Sequence, residues 1–335
     1  MKSPITGKEM SLKKENRKLT FRKEEFEVVY HYYLCGDSKE QFTDAELDEI
    51  NLVQLHNQYR EAHHLPFPDE IISIREKYKL PAIKMAEILG FGVNVYRNYE
   101  AGEVPSESNA RLIQLAKDAS KFKELVDISK VYEGEDSKKM IKHIEKLIDE
   151  ERKSIFKNSL QEYLLGSKQP DIYSGYKMPS LEKFTEMVVF FTRELEPWKT
   201  KLNKLLFYAD FLNFRKTCFS ISGMRYRAID MGPVPNNFNS IFEYITNNDD
   251  IAVFHTEFND GKIGEQFKSN ASRQFNSALF TESELTVLKD VANCFRKTGT
   301  NDMIKISHKE KAWNDNFNAG KKLISYNHSF ELEAV

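Results

Sequence analysis

The spacing of apolar residues changes several times along the chain, and each change marks an element. Residues 19–35 (LTFRKEEFEVVYHYYLC) set Phe26, Val28 and Tyr30 against charged or polar neighbours, the period-two pattern of a strand or hairpin. Thr43, with Glu46 three residues on, is a capping-box signature and opens a helix carrying Leu47, Ile50, Leu52 and Leu55 as far as about His64. Pro66 and Pro68 end that helix and introduce a compact unit, residues 69–118, expected to hold four short helices.

Beyond it the chain becomes heavily charged up to about residue 165, yet Met140, Ile144, Leu147 and Ile148 keep a helical stripe. This predicts a helical connector that also offers a dimer seam. Residues 166–179 (GSKQPDIYSGYKMP) collect Gly, Pro and Ser and read as a linker. Leu202, Leu205, Leu206, Ala209 and Leu212 then follow helical spacing among Phe207, Tyr208, Phe211 and Phe214, as expected of a mostly buried helix. Further on, IAVFHTEF and EQFKSNAS flank Asn259, Asp260 and Gly261, a hairpin signal, and Thr281 with Glu284 forms a second capping box. The expected fold is mainly α with small β elements. Its parts are a β element and helix over residues 1–66, a helical module over 67–118, a connector and linker over 119–177, and a mostly helical domain with a β-hairpin over 178–335.

The 335 residues, 40% of them hydrophobic, allow two or three domains with proper cores. The densest apolar run, residues 187–191, is far below the roughly 18 needed to span a membrane, so no membrane partner is expected. The amino terminus has no apolar signal region, and Cys35, Cys218 and Cys294 are too scattered for a disulfide framework, which together point to the reducing cytoplasm. With 49 basic against 51 acidic residues, no global field draws the chain to DNA, so any DNA binding must come from a local surface. The chain lacks G-x-x-x-x-G-K, H-E-x-x-H and G-x-S-x-G, so neither an enzyme nor a cofactor or metal is expected. A hydrolytic dyad drawn from His308, Glu310 and Asp210 is the remaining catalytic alternative.

Within residues 67–118 the punctuation is that of a helix-turn-helix. Helix one spans 70–78, and Pro81 takes the first position of helix two, which stops at Gly90. Ala86 lets the next helix cross closely, and Gly90 and Gly92 permit a tight turn. In helix three (VNVYRNYEAG), Val95 and Tyr99 face inward and leave Asn94, Arg97 and Asn98 outside. Asn pairs with adenine and Arg with guanine for about 1–3 kcal/mol of discrimination each. Asn94 and Asn98 are the expected base readers, with Arg97, Tyr96 and Lys84 as candidate phosphate contacts. A merely solvated outer face is the alternative reading.

On Gly92, Val93, Asn94, Tyr96, Tyr99, Glu100 and Gly102, this half resembles the MqsA family of antitoxins. The resemblance implies operator binding as a homodimer, with Asn94 at a base-reading position and Asn98 where relatives often carry Arg. The family's first domain holds zinc with two C-x-x-C pairs. Here Ser3 and Thr6 stand at the first pair, and Cys35 with Ser38 keeps one thiol of the second. A metal-free remnant is therefore expected, with Cys35 a buried or idle thiol.

Four further segments resemble the Panacea, or SocA-like antitoxin, domain over about residues 181–317. They are KLNKLLFYADFLNF (201–214), Ile221-Ser222-Gly223, RYRAIDMGPVPNNF (225–238) and SHKEKAW (307–313). This resemblance implies the antitoxin of a type II pair, with a toxin protein as partner. A proteolytic adaptor and a ligand-sensing regulator are the alternatives. Physically, the Gly232-Pro233-Val234-Pro235 turn is stiff and suits an exposed apolar ridge. The expected toxin contacts are Arg225, Tyr226, Gly232, Pro233 and Pro235, with Asp210 and Arg225 a candidate buried pair orienting the turn and Tyr208 and Trp313 in the core.

Overall fold

A computed structural model describes residues 1–153, 155–166, 169–258, 261 and 263–335, the side chains of 155–158 excepted. Asn259 and Asp260 of the expected hairpin turn, and residues 167 and 168 of the expected linker, lie outside the described residues. The chain forms two compact units, Met1–Leu160 and Gln161–Val335. Helices predominate, with small antiparallel sheets, as the pattern predicts.

The first unit opens on two eleven-residue strands, β1 (Ser11–Phe21) and β2 (Glu24–Leu34), paired antiparallel, with a short β3 (Gln41–Phe42) beyond β2. Arg22 and Lys23 make the two-residue turn with φ of 49° and 72°, both left-handed, which matches the twist of the flanking strands. Strand β1 begins eight residues before the predicted element because its polar first half is recruited by pairing with β2, not by its own pattern.

Helix α1 (Ala45–Ala62) completes this sheet with side chains. Asn51, Gln54 and Gln58 share one helical face. The Asn51 amide exchanges hydrogen bonds with the His31 main chain (2.8 and 3.0 Å) and the Gln54 amide with that of Val29 (3.0 and 2.9 Å), while Gln58 donates to the Glu27 carbonyl (2.8 Å). Three amides thus satisfy the β2 edge as a further strand would. The N-cap of α1 is Asp44, whose carboxylate accepts from the Leu47 N–H (3.0 Å), so a simple cap one residue on replaces the expected Thr43–Glu46 box.

Four short helices follow: α2 (Pro68–Lys77), α3 (Ala82–Leu89), α4 (Val95–Glu100) and α5 (Glu107–Leu115). The expected connector is no connector over its first part. Helices α6 (Ala119–Ser129) and α7 (Gly134–Lys153) bury Phe122, Val126 and Ile144 in one cluster with Ile74, Met85 and Tyr96, and Met140, Leu147 and Ile148 pack against it. The Tyr78 ring stacks on Phe122 at 3.8 Å. The stripe read as a dimer seam is therefore covered within the unit.

After α8 (Ile155–Leu165), the second unit is built around α10 (Lys199–Thr217), buried on every side from Lys201 to Phe214 as its dense apolar spacing predicts. Against it lie α9 (Leu181–Leu195), a sheet of β4 (Tyr226–Ile229), β5 (Gly232–Pro235) and β8 (Leu323–Ile324) in the order β5-β4-β8, and helices α12 (Glu282–Phe295) and α13 (Thr300–Lys309), while α11 (Phe238–Asn247) and α14 (Lys311–Asn318) pack further out. Strands β6 (Ile251–Glu257) and β7 (Ile263–Ser269) form the expected hairpin, and Thr281 with Glu284 makes the expected capping box. Among the described residues no helix is long and apolar enough to cross a membrane.

The segment read as a linker is instead packed into this unit. Ser174 and Tyr176 are buried, and the Ser220 N–H donates to the Gly175 carbonyl at 2.9 Å. Gly175 and Gly223 both have positive φ, 60° and 74°, and a Cβ on them would lie 2.6 Å from the Ser220 Cβ and 2.5 Å from the Met178 carbonyl oxygen. These glycines serve close backbone packing rather than flexibility.

Candidate functional site

Helix α3 ends as the glycines predict. Gly90 sits at φ 72°, its N–H donates to the Glu87 carbonyl (3.2 Å), and the Phe91 N–H donates to that of Ala86 (2.8 Å), reversing the chain toward α4. Pro81 is the N-cap of α3 rather than its first residue. Helix α4 is shorter than expected, and Asn94 is its N-cap.

Asn94, Arg97 and Asn98 are exposed. Tyr96 is not: it is fully buried and its hydroxyl donates to the Ile71 carbonyl at 2.8 Å, so it cannot reach a phosphate. On so short a helix Tyr96 joins Val95 and Tyr99 on the inner face, and burial pushes its phenol well above the usual range. Lys84 is half-exposed, with its ammonium on Glu87 at 2.7 Å.

Two further supports carry no periodic signal and are visible only in space. Arg75 holds Glu100 at the end of α4 (2.5 Å), and Arg22 at the hairpin tip donates to the carbonyls of Val104 (2.7 Å) and Pro105 (2.9 Å) just beyond that helix.

Ser3, Thr6, Cys35 and Ser38 come together. The Thr6 Oγ1 and Cys35 Sγ lie 3.5 Å apart, and Ser3 Oγ accepts from the N–H groups of Ile5 (3.3 Å) and Thr6 (3.2 Å). Hydrogen bonds from Ser38, Thr6 and Ser3 bring the buried Cys35 thiol down to about 6. Three hydroxyls thus surround one thiol. Among the described residues no group of three or more His, Cys, Asp or Glu stands together.

In the second unit the expected ridge faces inward. Gly232, Pro233, Val234 and Pro235 are all buried, as is Tyr226, so Tyr226, Gly232, Pro233 and Pro235 cannot be contacts for a partner in this state. Gly232 (φ 102°) lies over α10 and α13, where a Cβ would come within 2.6 Å of both the Lys204 Cε and the Ser307 Oγ. Asp230 and Met231, which join β4 to β5, are exposed, Met231 at 48%.

Asp210 and Arg225 do not pair. Arg225 is buried against Asp171 (2.8 Å) and also donates to the Gln169 carbonyl (3.3 Å). Asp210, at the centre of α10, accepts from the N–H groups of Ile221 and Ser222 (both 2.8 Å), the Ser222 hydroxyl (2.5 Å) and the Tyr226 hydroxyl (2.7 Å). Burial raises its carboxyl and those four donors oppose the rise. The carboxylate is thus the hub joining α10, the Ile221–Gly223 turn and β4.

Because Asp171 lies in the former linker, a fragment beginning at Met178 loses the partner of Arg225 together with Tyr176. Removing one member of a buried pair costs about 3–5 kcal/mol. The fragment 161–335 is expected to unfold cooperatively and at distinctly higher temperature than 178–335, and equal melting temperatures would contradict the assignment of 161–177 to this unit.

The candidate dyad does not assemble. Glu310 accepts from the N–H groups of Glu333 (3.0 Å) and Ala334 (3.1 Å) and from the Tyr208 hydroxyl (3.2 Å), which ties down the end of the described chain. His308 stacks on Trp313 at 3.8 Å, and Trp313, half-buried, donates to the Ile229 carbonyl at 2.7 Å. Asp210 serves its own network. Lys204 was not singled out by the sequence, where it is one Lys in an amphipathic-looking run. It is fully buried, its Nζ has no hydrogen-bond partner among the described residues, and burial lowers its amine to about 7.

A buried central helix pinned through one carboxylate to a turn and a small sheet forms the core of the second unit. Residues 202–314, from α10 into α14, match the family described as antitoxin SocA-like, Panacea domain, so the second unit carries an antitoxin-like domain. No curated protein compared with the chain matches it.

Proposed function

We propose that this protein is the antitoxin of a type II toxin–antitoxin pair in the cytoplasm. The second unit neutralises a toxin protein by direct binding, and the first binds operator DNA as a homodimer and represses the operon. The protein is not an enzyme and needs no cofactor. The match over residues 202–314 carries this reading. For the DNA half, support comes from the α3–α4 reversal, the exposure of Asn94, Arg97 and Asn98, and the convergence of Ser3, Thr6, Cys35 and Ser38 where the MqsA resemblance puts a zinc site. A ligand-sensing regulator is the second reading, favoured by a cavity of about 690 Å³ in the second unit beside Trp198, Phe258 and Thr300.

The test is to express the neighbouring gene alone and then with the full chain. Growth arrest relieved by a stable complex supports the antitoxin reading, whereas a harmless neighbour with no complex favours the ligand sensor. For the DNA half, Asn94→Ala with Asn98→Ala is expected to weaken binding to the operon's own upstream DNA at least tenfold, since each base contact is worth about 1–3 kcal/mol. Rescue of growth should be unchanged by that double substitution. Loss of both activities would mean that the two side chains hold the fold.

A further inference from the structure

With the Gly232–Pro235 turn buried, a partner must dock elsewhere on the second unit, and the β6–β7 hairpin supplies an open sheet edge. The outer edge of β7 is already taken: Phe267 donates its N–H to the Pro197 carbonyl (3.0 Å), and the Gln266 amide donates to that of Glu196 (3.0 Å). Val253 lies opposite Phe267 in the antiparallel register. Since the Phe267 N–H points away from β6, this is a pair whose main-chain groups face outward on both strands. Val253 and, two residues on, His255 therefore turn their N–H and C=O groups to the open side of β6, where no further strand pairs among the described residues.

Such an edge is usually blunted by proline, lysine or a covering element. Strand β6, IAVFHTE, has neither residue and is exposed from Phe254 onward. The side chains of Val253 and His255 line a cavity of about 360 Å³ between α11 and the hairpin. Within that cavity Lys199 and Glu265 neutralise each other at 2.6 Å, which leaves Glu243 without an opposite charge among the described residues, and Glu257 follows on the same face of β6.

We propose that the toxin contributes an extended segment that adds to β6 as a third strand and directs a basic side chain into the cleft beside Glu243. This rests on the antitoxin reading above. Main-chain hydrogen bonds along β6 would supply affinity, and the alternate side chains entering the cleft would supply selectivity.

The experiment uses the full chain co-expressed with the product of the neighbouring gene, comparing wild type, His255→Pro and Glu243→Lys by co-purification and titration. Proline at an outward-facing edge position removes one donor of the open edge while leaving the β6–β7 hydrogen bonds in place. The expected result is an affinity at least tenfold lower for each variant, with melting temperatures within a few degrees of wild type. Undiminished binding by both folded variants would overturn the proposal. So would a wild-type dimer that His255→Pro converts to monomer with toxin binding intact, because the edge would then belong to a second copy. Failure of the wild-type chain to bind the neighbouring product would instead overturn the antitoxin reading, and this inference with it.

Discussion

Replacing Asp210 by alanine is expected to destabilise the second unit by about 3–5 kcal/mol, a large part of what holds a domain together. The substitution strands four buried donors at once, two N–H groups and the hydroxyls of Ser222 and Tyr226. Each unsatisfied buried donor costs about 1–3 kcal/mol, and relaxation keeps the total below the simple sum. Asp210→Asn should be much milder, because its carbonyl oxygen can still accept from Ile221 and Ser222 while its amide donates to the two hydroxyls. Thermal unfolding of the full chain, followed through the second unit's transition, checks both variants. Near-wild-type stability for the alanine variant would mean that this hub is dispensable.

Lys204→Met is expected to act in the opposite direction. The folded amine lies at about 7 against 10.5 for a free lysine, so between those values the unfolded chain binds a proton that the folded chain does not. Stability should therefore rise as pH increases from 7 towards 10.5, and below 7 the unfavourable contribution is fully developed. Converting the shift at 1.36 kcal/mol per unit gives an upper bound of about 4–5 kcal/mol, and methionine should recover about 2–4 kcal/mol at pH 7 while flattening that pH slope. His308 is itself lowered by burial and by Lys204, and if protonated it would only add like charge beside that amine. A variant less stable than wild type, with the slope unchanged, would show that Lys204 is held by a favourable interaction.

What the chain shows in sequence is what its own neighbours decide. The Thr281–Glu284 cap, the β6–β7 strands, the four short helices and the apolar spacing of α10 all depend on residues within a turn or two, and all are present. Exposure is a different matter, since it depends on what folds over a segment. The prolines of the Gly232–Pro235 turn correctly indicate stiffness, but α10 and α13 close against it, so the stiffness serves packing. The linker reading of 166–179 fails for the same reason: Gly175 looks like flexibility in sequence, whereas it marks a backbone approach to Ser220, 45 positions away. The α7 stripe announced an apolar face without saying that α6 and the small helices would cover it. Of the candidate DNA surface, Asn94, Arg97 and Asn98 remain available and Tyr96 does not, because a six-residue helix cannot leave that ring outside its core.

If the second unit alone disarms a toxin, as proposed, residues 161–335 should suffice for growth rescue. The neighbouring gene would be expressed alone, with this fragment, and with the full chain. Arrest is expected in the first case and relief in both others, with the fragment co-eluting with the neighbouring product. A fragment that unfolds cooperatively, yet neither binds that product nor restores growth where the full chain does both, would contradict it.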